Sequence, residues 1–409
     1  DSEALKAGVQ GKAERLADAV VPFSFLLAGL VWLVTRNPAR AASVLLVDYS
    51  CALKLSTPLA VLAAMKEGVG RGVLVKGGRF LESLAAADAV VFDKTGTLTE
   101  SRPRVAEVIP GEGYERDDIL RTAACLEEHF PHPVARAVVR KAEQEGLHHQ
   151  EEHTEVEYVV AHGIASRLHG KRVLFGSRHY IHHDEGVPVD GMREDIERLA
   201  REGRSILYLA VDGKLAGLIA IEDPLRPEAA PVIRKLLGRG IRVVMLTGDD
   251  ERTAAAVAER LGISEYRSQV LPTDKAEVIR SLQAEGHTVA MLGDGINDSP
   301  ALSAADVGVT LSDGADLARE VADVVLTECR LDGLVTAVDL SKAAMRRIRT
   351  DFGLIMTLNT VFLASGLAGF LQPGPSALLH NLTTVGVSLN AMRPMLKAGA
   401  EPQLEEVSA

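Results

Sequence analysis

Apolar and polar positions are unevenly distributed along this chain. Residues 19–35, AVVPFSFLLAGLVWLVT, carry no charge and form a run just long enough to cross a bilayer. After the polar break RNPAR, a second run covers 41–65, AASVLLVDYSCALKLSTPLAVLAAM. A second pair lies near the other end, at 352–371 (FGLIMTLNTVFLASGLAGFL) and 376–397 (SALLHNLTTVGVSLNAMRPMLK). Between the pairs, about 80–345, the pattern changes to short apolar runs that each end in a polar turn. AVVF (89–92) leads into DKTG, IRVVML (241–246) into TGDD, and HTVAML (287–292) into GDGIND. The helical pattern ERTAAAVAERLGI follows the second turn. Buried strands followed by helices predict an α/β core. The expected fold class is therefore multidomain α/β plus four transmembrane helices, with two membrane hairpins bracketing a soluble module.

Composition refines this picture. A chain of 409 residues exceeds one ordinary core, so two or more domains are expected. Hydrophobic residues make up 47% and aromatics only 4%, so the apolar content is mostly Ala, Val and Leu. The net charge of -11 argues against a nucleic-acid partner. Lys66, Arg71, Lys76 and Arg79 on one side of the soluble module, and Arg346, Arg347 and Arg349 on the other, put it on the cytoplasmic face by the positive-inside rule. Arg36 and Arg40 in the outer loop run against that rule. The three cysteines, Cys51, Cys125 and Cys329, are too scattered for a disulfide framework or a paired-cysteine metal site.

The polar turns carry the chemistry. DKTGTLTE (93–100) sets the carboxylate of Asp93 at a strand end, followed by Lys94, Thr95, Gly96 and Thr97. A strand-fixed carboxylate beside a donor-rich turn suits attack on a phosphoryl group and an aspartyl-phosphate intermediate. Thr247 and Gly248, in TGDD with Asp249, offer a hydroxyl and N–H groups to phosphate. Lys275, in LPTDKAEVIR, supplies a fixed positive charge. Asp294 and Asp298 are spaced to reach one Mg²⁺, assisted by Asn297. Within the second apolar run, Asp48, Cys51 and Lys54 recur every third residue, and Pro58 is expected to break the helical hydrogen-bond ladder and release a carbonyl. Ionisable groups inside a membrane span are costly and mark function, so a thiol, a carboxylate and carbonyls here suit a transition-metal cation. The alternative is that Asp48 and Lys54 pair with neighbouring helices while Cys51 packs. Asn359, His380, Asn381, Thr383 and Thr384 are further candidate ligands, or else helix–helix hydrogen-bonding groups.

DKTGTLTE, TGDD and MLGDGINDSPAL resemble the phosphorylation signatures of P-type ATPases, carried on a haloacid-dehalogenase-like Rossmannoid core. EEHFPHPVARAVV (127–139) resembles the SEHPLA nucleotide signature of the heavy-metal (CPx-type) branch, with His132 and Pro133 at the His-Pro positions and Glu127 at the acidic one. AHGIAS (161–166) resembles that branch's glycine pair, Gly163 matching the second glycine and Ala161 replacing the first. The resemblance implies a phosphorylation domain at 79–101 and 223–340. It implies an α+β nucleotide-binding domain at 102–222 that delivers ATP to Asp93. Asp223 and Pro224 match the hinge between them. It implies Mg²⁺ held by Asp93, the Thr95 carbonyl and Asp294, supported by Asn297 and Asp298. It also implies a transmembrane pair with the metal-site helix at 1–78 and a second pair at 341–409.

Two departures from the family pattern matter. The branch's Cys-Pro-Cys motif aligns with Tyr49-Ser50-Cys51. One thiol disfavours Cu(I), which prefers paired soft ligands, and favours Zn²⁺, Mn²⁺, Co²⁺, Fe²⁺ or Ni²⁺. No TGE-type sequence precedes Asp93, so the actuator domain and earlier helices are expected ahead of residue 1, as an N-terminal partner part. The expected function is ATP-driven export of a divalent transition metal across a bacterial plasma membrane, through an aspartyl phosphate at Asp93. The alternatives are a membrane-anchored dehalogenase-type phosphatase and a non-catalytic pump fragment.

Overall fold

The computed structural model describes residues 8–47, 49–100, 102–128, 133–147, 153–159, 163–293 and 298–396. The described strands are β1 (Val73–Val75), β2 (Ala89–Asp93), β3 (Arg104–Pro110), β4 (His153–Val159), β5 (Gly163–Leu168), β6 (Lys171–Gly176), β7 (Ser205–Val211), β8 (Lys214–Glu222), β9 (Arg242–Leu246), β10 (Glu265–Arg267), β11 (Val289–Leu292), β12 (Val307–Leu311) and β13 (Val324–Leu326).

They form two sheets. The first has the order β1-β13-β12-β11-β2-β9-β10. All its pairings are parallel except the antiparallel edge strand β1. Its central strands are buried along their whole length, which explains their unbroken apolar runs. In register, Phe92 lies beside Leu292 and Asp93 beside Leu246. The strands β2, β9 and β11 therefore end at one level, and the three polar turns read from the sequence emerge side by side. Open α/β sheets place their sites at this carboxyl edge.

The second sheet is antiparallel, with the order β3-β8-β7-β6-β5-β4. The helices Arg116–Glu127 and Pro133–Gln144 supply Leu120, Leu126 and Val138 to the core on one face. The helix Arg193–Arg201 covers the other face through Ile196 and Leu199. The chain leaves the first sheet after β2 and returns after β8, with Thr99 bridging to Leu225 where the two crossings meet.

The helices Gly8–Thr35, Pro38–Leu46, Tyr49–Val69, Asp332–Ala368 and Pro373–Ala391 pack together. Two stretches, Pro38–Val69 and Asp332–Ala368, are long and apolar enough to cross a membrane, and Val21–Thr35 is a shorter apolar helix. Leu26, Val34, Leu62 and Leu389 face outward from this bundle, an apolar exterior suited to lipid.

Pro58 lies inside the helix Tyr49–Val69, where it has no N–H to offer the carbonyl one turn earlier, and Val47 ahead of this helix is extended. A proline removes one hydrogen bond, and packing on neighbouring helices keeps the rest in line. The last helix of the parallel-sheet layer runs on past residue 340. It continues as one element of 37 residues from Asp332 to Ala368. One apolar cluster joins Val90 and Phe92 of the sheet to Ala60 and Ala64 of the helix Tyr49–Val69 and to Leu340, Met345 and Ile348 of this long helix.

Candidate phosphoryl-transfer site

Asp93 closes β2 and is 5% exposed. Lys275 opens the helix Lys275–Ala284. Its ammonium donates to Asp93 Oδ1 at 2.6 Å and to Asp298 Oδ1 at 2.6 Å. Burial alone would lower this lysine's pKa, but the two carboxylates outweigh it and hold the ammonium above its ordinary range. Gly293, at the end of β11, makes the approach of Asp298 possible: a Cβ there would lie 2.8 Å from Asp298 Oδ2.

The turn after Asp93 is held from within and from outside. Gly96 has φ 82°, a left-handed conformation that favours glycine. Its N–H donates to Thr99 Oγ1 at 2.8 Å, and Thr99 N–H donates to the Lys94 carbonyl at 3.2 Å. The buried guanidinium of Arg226 donates to the carbonyls of Thr99 (3.0 Å), Gly96 (3.3 Å) and Cys329 (2.9 Å). The sequence reading stopped at Asp223 and Pro224 and missed Arg226, two residues further along the same IEDPLRPEA segment.

Lys94 does not join the donors around Asp93. Its ammonium pairs with Asp249, also 3.4 Å from Ser205 Oγ. Burial opposes both charges, yet each sustains the other: the Lys94 pKa is raised and the Asp249 pKa lowered. Asp249 Oδ2 also accepts from Thr247 Oγ1 at 2.8 Å, and Asp249 Oδ1 accepts from Ser205 Oγ at 2.7 Å. The Thr247 hydroxyl, expected to face phosphate, is thus directed to Asp249, while Gly248 is exposed at the edge. Asp294 and Asn297 lie outside the described residues.

In the antiparallel unit, Glu127 ends the helix Arg116–Glu127 and burial pushes its carboxyl up to about 7. Pro133 opens the next helix, and His132 lies outside the described residues. Gly163 sits where a Cβ would meet the Phe175 carbonyl at 2.4 Å and the Tyr180 ring at 2.5 Å. Its flanking Ile164 shares a core cluster with Leu126, the neighbour of Glu127.

In the helical bundle, Asn359 and His380 are both buried, with Asn359 Oδ1 3.4 Å from His380 Nδ1. Cys51 and Lys54 occupy exposed positions of the helix Tyr49–Val69. Asp48 lies outside the described residues. Tyr49, at the position of the branch's first cysteine, meets Thr360 Oγ1 through its hydroxyl at 3.0 Å. Thr383 and Thr384 donate to the carbonyls of Leu379 and His380 one turn earlier. Among the described residues, no three His, Cys, Asp or Glu side chains are gathered as a metal-binding group.

The profile of the haloacid dehalogenase-like hydrolases matches residues 87–306, more than half of the chain, and the chain belongs to that family. Within it, the chain's relatives are heavy-metal P-type ATPases. A zinc-exporting P-type ATPase of Mycobacterium marinum is 42% identical over 391 residues, 95% of this chain and 53% of the relative. A manganese-exporting P-type ATPase of Mycobacterium tuberculosis is 41% identical over the same length, 95% of this chain and 54% of the relative. The chain thus spans about half the length of these relatives. The crystal structure of a zinc-transporting PIB-type ATPase in its E2.Pi state superposes with a TM-score of 0.70 at 32% identity, over 94% of this chain and 66% of that one. The catalytic domain of the CPx-ATPase CopB-B superposes with a TM-score of 0.54 at 26% identity, over 67% of this chain and 98% of that one.

Two outcomes follow from the antiparallel unit. The Glu127 carboxyl titrates at about 7 in the fold against an ordinary 4.5, so its protonated form is favoured by folding. Stability from this group is fully present below pH 4.5 and is lost as pH rises through 7. Thermal unfolding followed between pH 5 and 8 will show a decline in the wild type that Glu127→Gln reduces; an equal decline in both removes Glu127 as its source. Gly163→Ala forces a methyl against a backbone carbonyl and will destabilise this unit by about 1–3 kcal/mol, measured by urea unfolding.

Proposed function

We propose that this chain carries the phosphorylation machinery and part of the ion path of an ATP-driven pump for a divalent transition-metal cation. The observation that carries the reading is the Lys275 ammonium between the buried carboxylates of Asp93 and Asp298 at the carboxyl edge of a parallel sheet. In this reading the parallel-sheet parts, 79–101 and 223–340, are the phosphorylation domain, and 102–222 is the nucleotide-binding domain. Residues 1–78 and 341–409 are the membrane parts.

Asp93 is the nucleophile. Its carboxylate oxygen attacks the γ-phosphorus of ATP, a phosphorus–oxygen bond forms, the bond to the bridging oxygen breaks, and ADP leaves with the electron pair. Before transfer, Lys275 pairs with the Asp93 carboxylate; during it, Lys275 offsets negative charge on the transferred group. The Gly248 N–H and, once released from Asp249, the Thr247 hydroxyl bind the phosphoryl oxygens. The donor set fits Mg²⁺: two converging carboxylates, Asp93 and Asp298, and the Thr95 carbonyl in the adjoining turn, with Asp294 and Asn297 added by sequence. Bound there, Mg²⁺ would neutralise phosphate oxygens; the chain's part is to hold the carboxylates and exclude water. Glu127, His132, Pro133 and Gly163 form the ATP site.

The transported cation is taken by Asn359 and His380, with Cys51 and, by sequence, Asp48 as further ligands. One thiol among nitrogen and oxygen donors suits a divalent ion better than Cu(I). The zinc- and manganese-exporting relatives support a divalent cargo and outward transport. Their bacterial sources support a bacterial plasma membrane, with the soluble units in the cytoplasm.

Incubation of the detergent-solubilised protein with labelled ATP, Mg²⁺ and one transition metal at a time tests the reading. Acid-stable, hydroxylamine-sensitive label will appear with a subset of divalent metals and fall to background in Asp93→Asn. Label retained in Asp93→Asn would sink the nucleophile assignment.

A further inference from the structure

One side chain from the antiparallel sheet enters the phosphoryl-transfer site. Ser205 is the first residue of β7 and lies opposite Ile221 of β8, two residues before Asp223 returns the chain to the parallel sheet. Its hydroxyl donates to Asp249 Oδ1 at 2.7 Å and lies 3.4 Å from the Lys94 ammonium. Lys94 directly follows Asp93, and Asp249 is the third residue of the TGDD turn. Asp249 therefore takes its donors from three places: Lys94 in the first turn, Thr247 in its own turn, and Ser205 from the other unit.

The neighbouring contacts have the same direction. Thr253, fully buried in the helix after TGDD, donates its hydroxyl to the Arg204 carbonyl at 3.3 Å. Arg252 of that helix meets Glu197 at 3.2 Å. Asp250 caps the helix by accepting from the N–H groups of Arg252 and Thr253. The segment 197–205 thus grips the turn and first helical residues 249–253 at three points. Two of them, Thr253–Arg204 and Arg252–Glu197, are a neutral hydrogen bond and an exposed ion pair, each of small worth. The Ser205 contact is to a buried carboxylate, where loss of a donor is felt more.

We propose that Ser205 is a positioning residue for phosphoryl transfer, which makes the geometry of Lys94 and Asp249 depend on the seating of the nucleotide-side unit. This rests on the reading of Asp93 as nucleophile. Without the Ser205 hydroxyl, Asp249 Oδ1 loses its donor and the carboxylate can turn about its Oδ2 contacts. Thr247 and Lys94 then follow, and Lys94 is joined by one peptide bond to Asp93. ATP contacts made further out, at Glu127 and Gly163, are not part of this linkage, so nucleotide affinity and transfer rate should separate.

The test compares wild type, Ser205→Ala and Ser205→Thr in the solubilised full chain. Phosphoenzyme formation is followed against ATP concentration, and hydrogen–deuterium exchange is followed over residues 247–253. In Ser205→Ala, formation at saturating ATP should slow about tenfold, the kinetic equivalent of one hydrogen bond to a charged group. Half-saturating ATP should stay within about twofold, exchange at 247–253 should quicken, and Ser205→Thr should restore rate and protection. Unchanged rate and exchange in the alanine variant overturn the proposal. So does a rise in half-saturating ATP matching the loss of rate, which would make Ser205 part of nucleotide binding. Failure of the threonine variant to restore the rate also overturns it. A wild-type chain that takes no label counts against Asp93 as nucleophile; the exchange comparison then decides the positioning role on its own.

Discussion

Two buried carboxylates, Asp93 and Asp298, are held together by the ammonium of Lys275, and the surrounding architecture exists to make that arrangement possible. Carboxylates from adjacent parallel strands and turns repel one another unless a cation stands between them, and burial sharpens the repulsion. Removing one member of such a buried set leaves charge without compensation, a loss of about 3–5 kcal/mol in general. The requirement is met by three separate elements. The strand β2 carries Asp93, the helix Lys275–Ala284 brings the ammonium at its first residue, and Gly293 lets Asp298 close on the end of β11. The same requirement explains the unbroken apolar runs of the sheet, because only a sheet buried on both faces can set these ends at one level without solvent.

The polar site and the helical bundle are parts of one packed body. Phe92, immediately before Asp93, belongs to the same apolar cluster as Leu340, Met345 and Ile348 of the long helix, and that helix carries Asn359 further on. Arg226 adds a polar tie: it holds the carbonyls of Gly96 and Thr99 in the turn after Asp93 and the carbonyl of Cys329, three residues before the long helix begins. Close-packed interiors pass on displacements because they have no slack to absorb them. A change in the turn after Asp93 therefore has a contiguous route of packed side chains and a single helix toward the buried Asn359–His380 pair.

Much of this was readable from residue order. In the sequence Asp93, Thr247, Lys275 and Asp294 each follow an apolar strand or lie on a following loop, a pattern that points to one edge of a sheet. The partners of Lys94 were not readable. Its position in DKTG suggests a phosphate ligand, but the direction of a long side chain is decided by charges distant in sequence, here Asp249. Ser205 was missed for a related reason. A single serine opening a strand carries no signal until strand pairing sets it beside Ile221 and the hinge.

Mass-spectrometric location of the transferred phosphate is the decisive measurement. The solubilised protein would be quenched in acid after brief exposure to ATP, Mg²⁺ and each divalent metal, then cleaved and mapped. Phosphate on the peptide containing Asp93, and not on those containing Asp249 or Asp298, is the result predicted by the Lys275-bridged site. Phosphate on another carboxylate, or on none under any metal despite bound ATP, would contradict it.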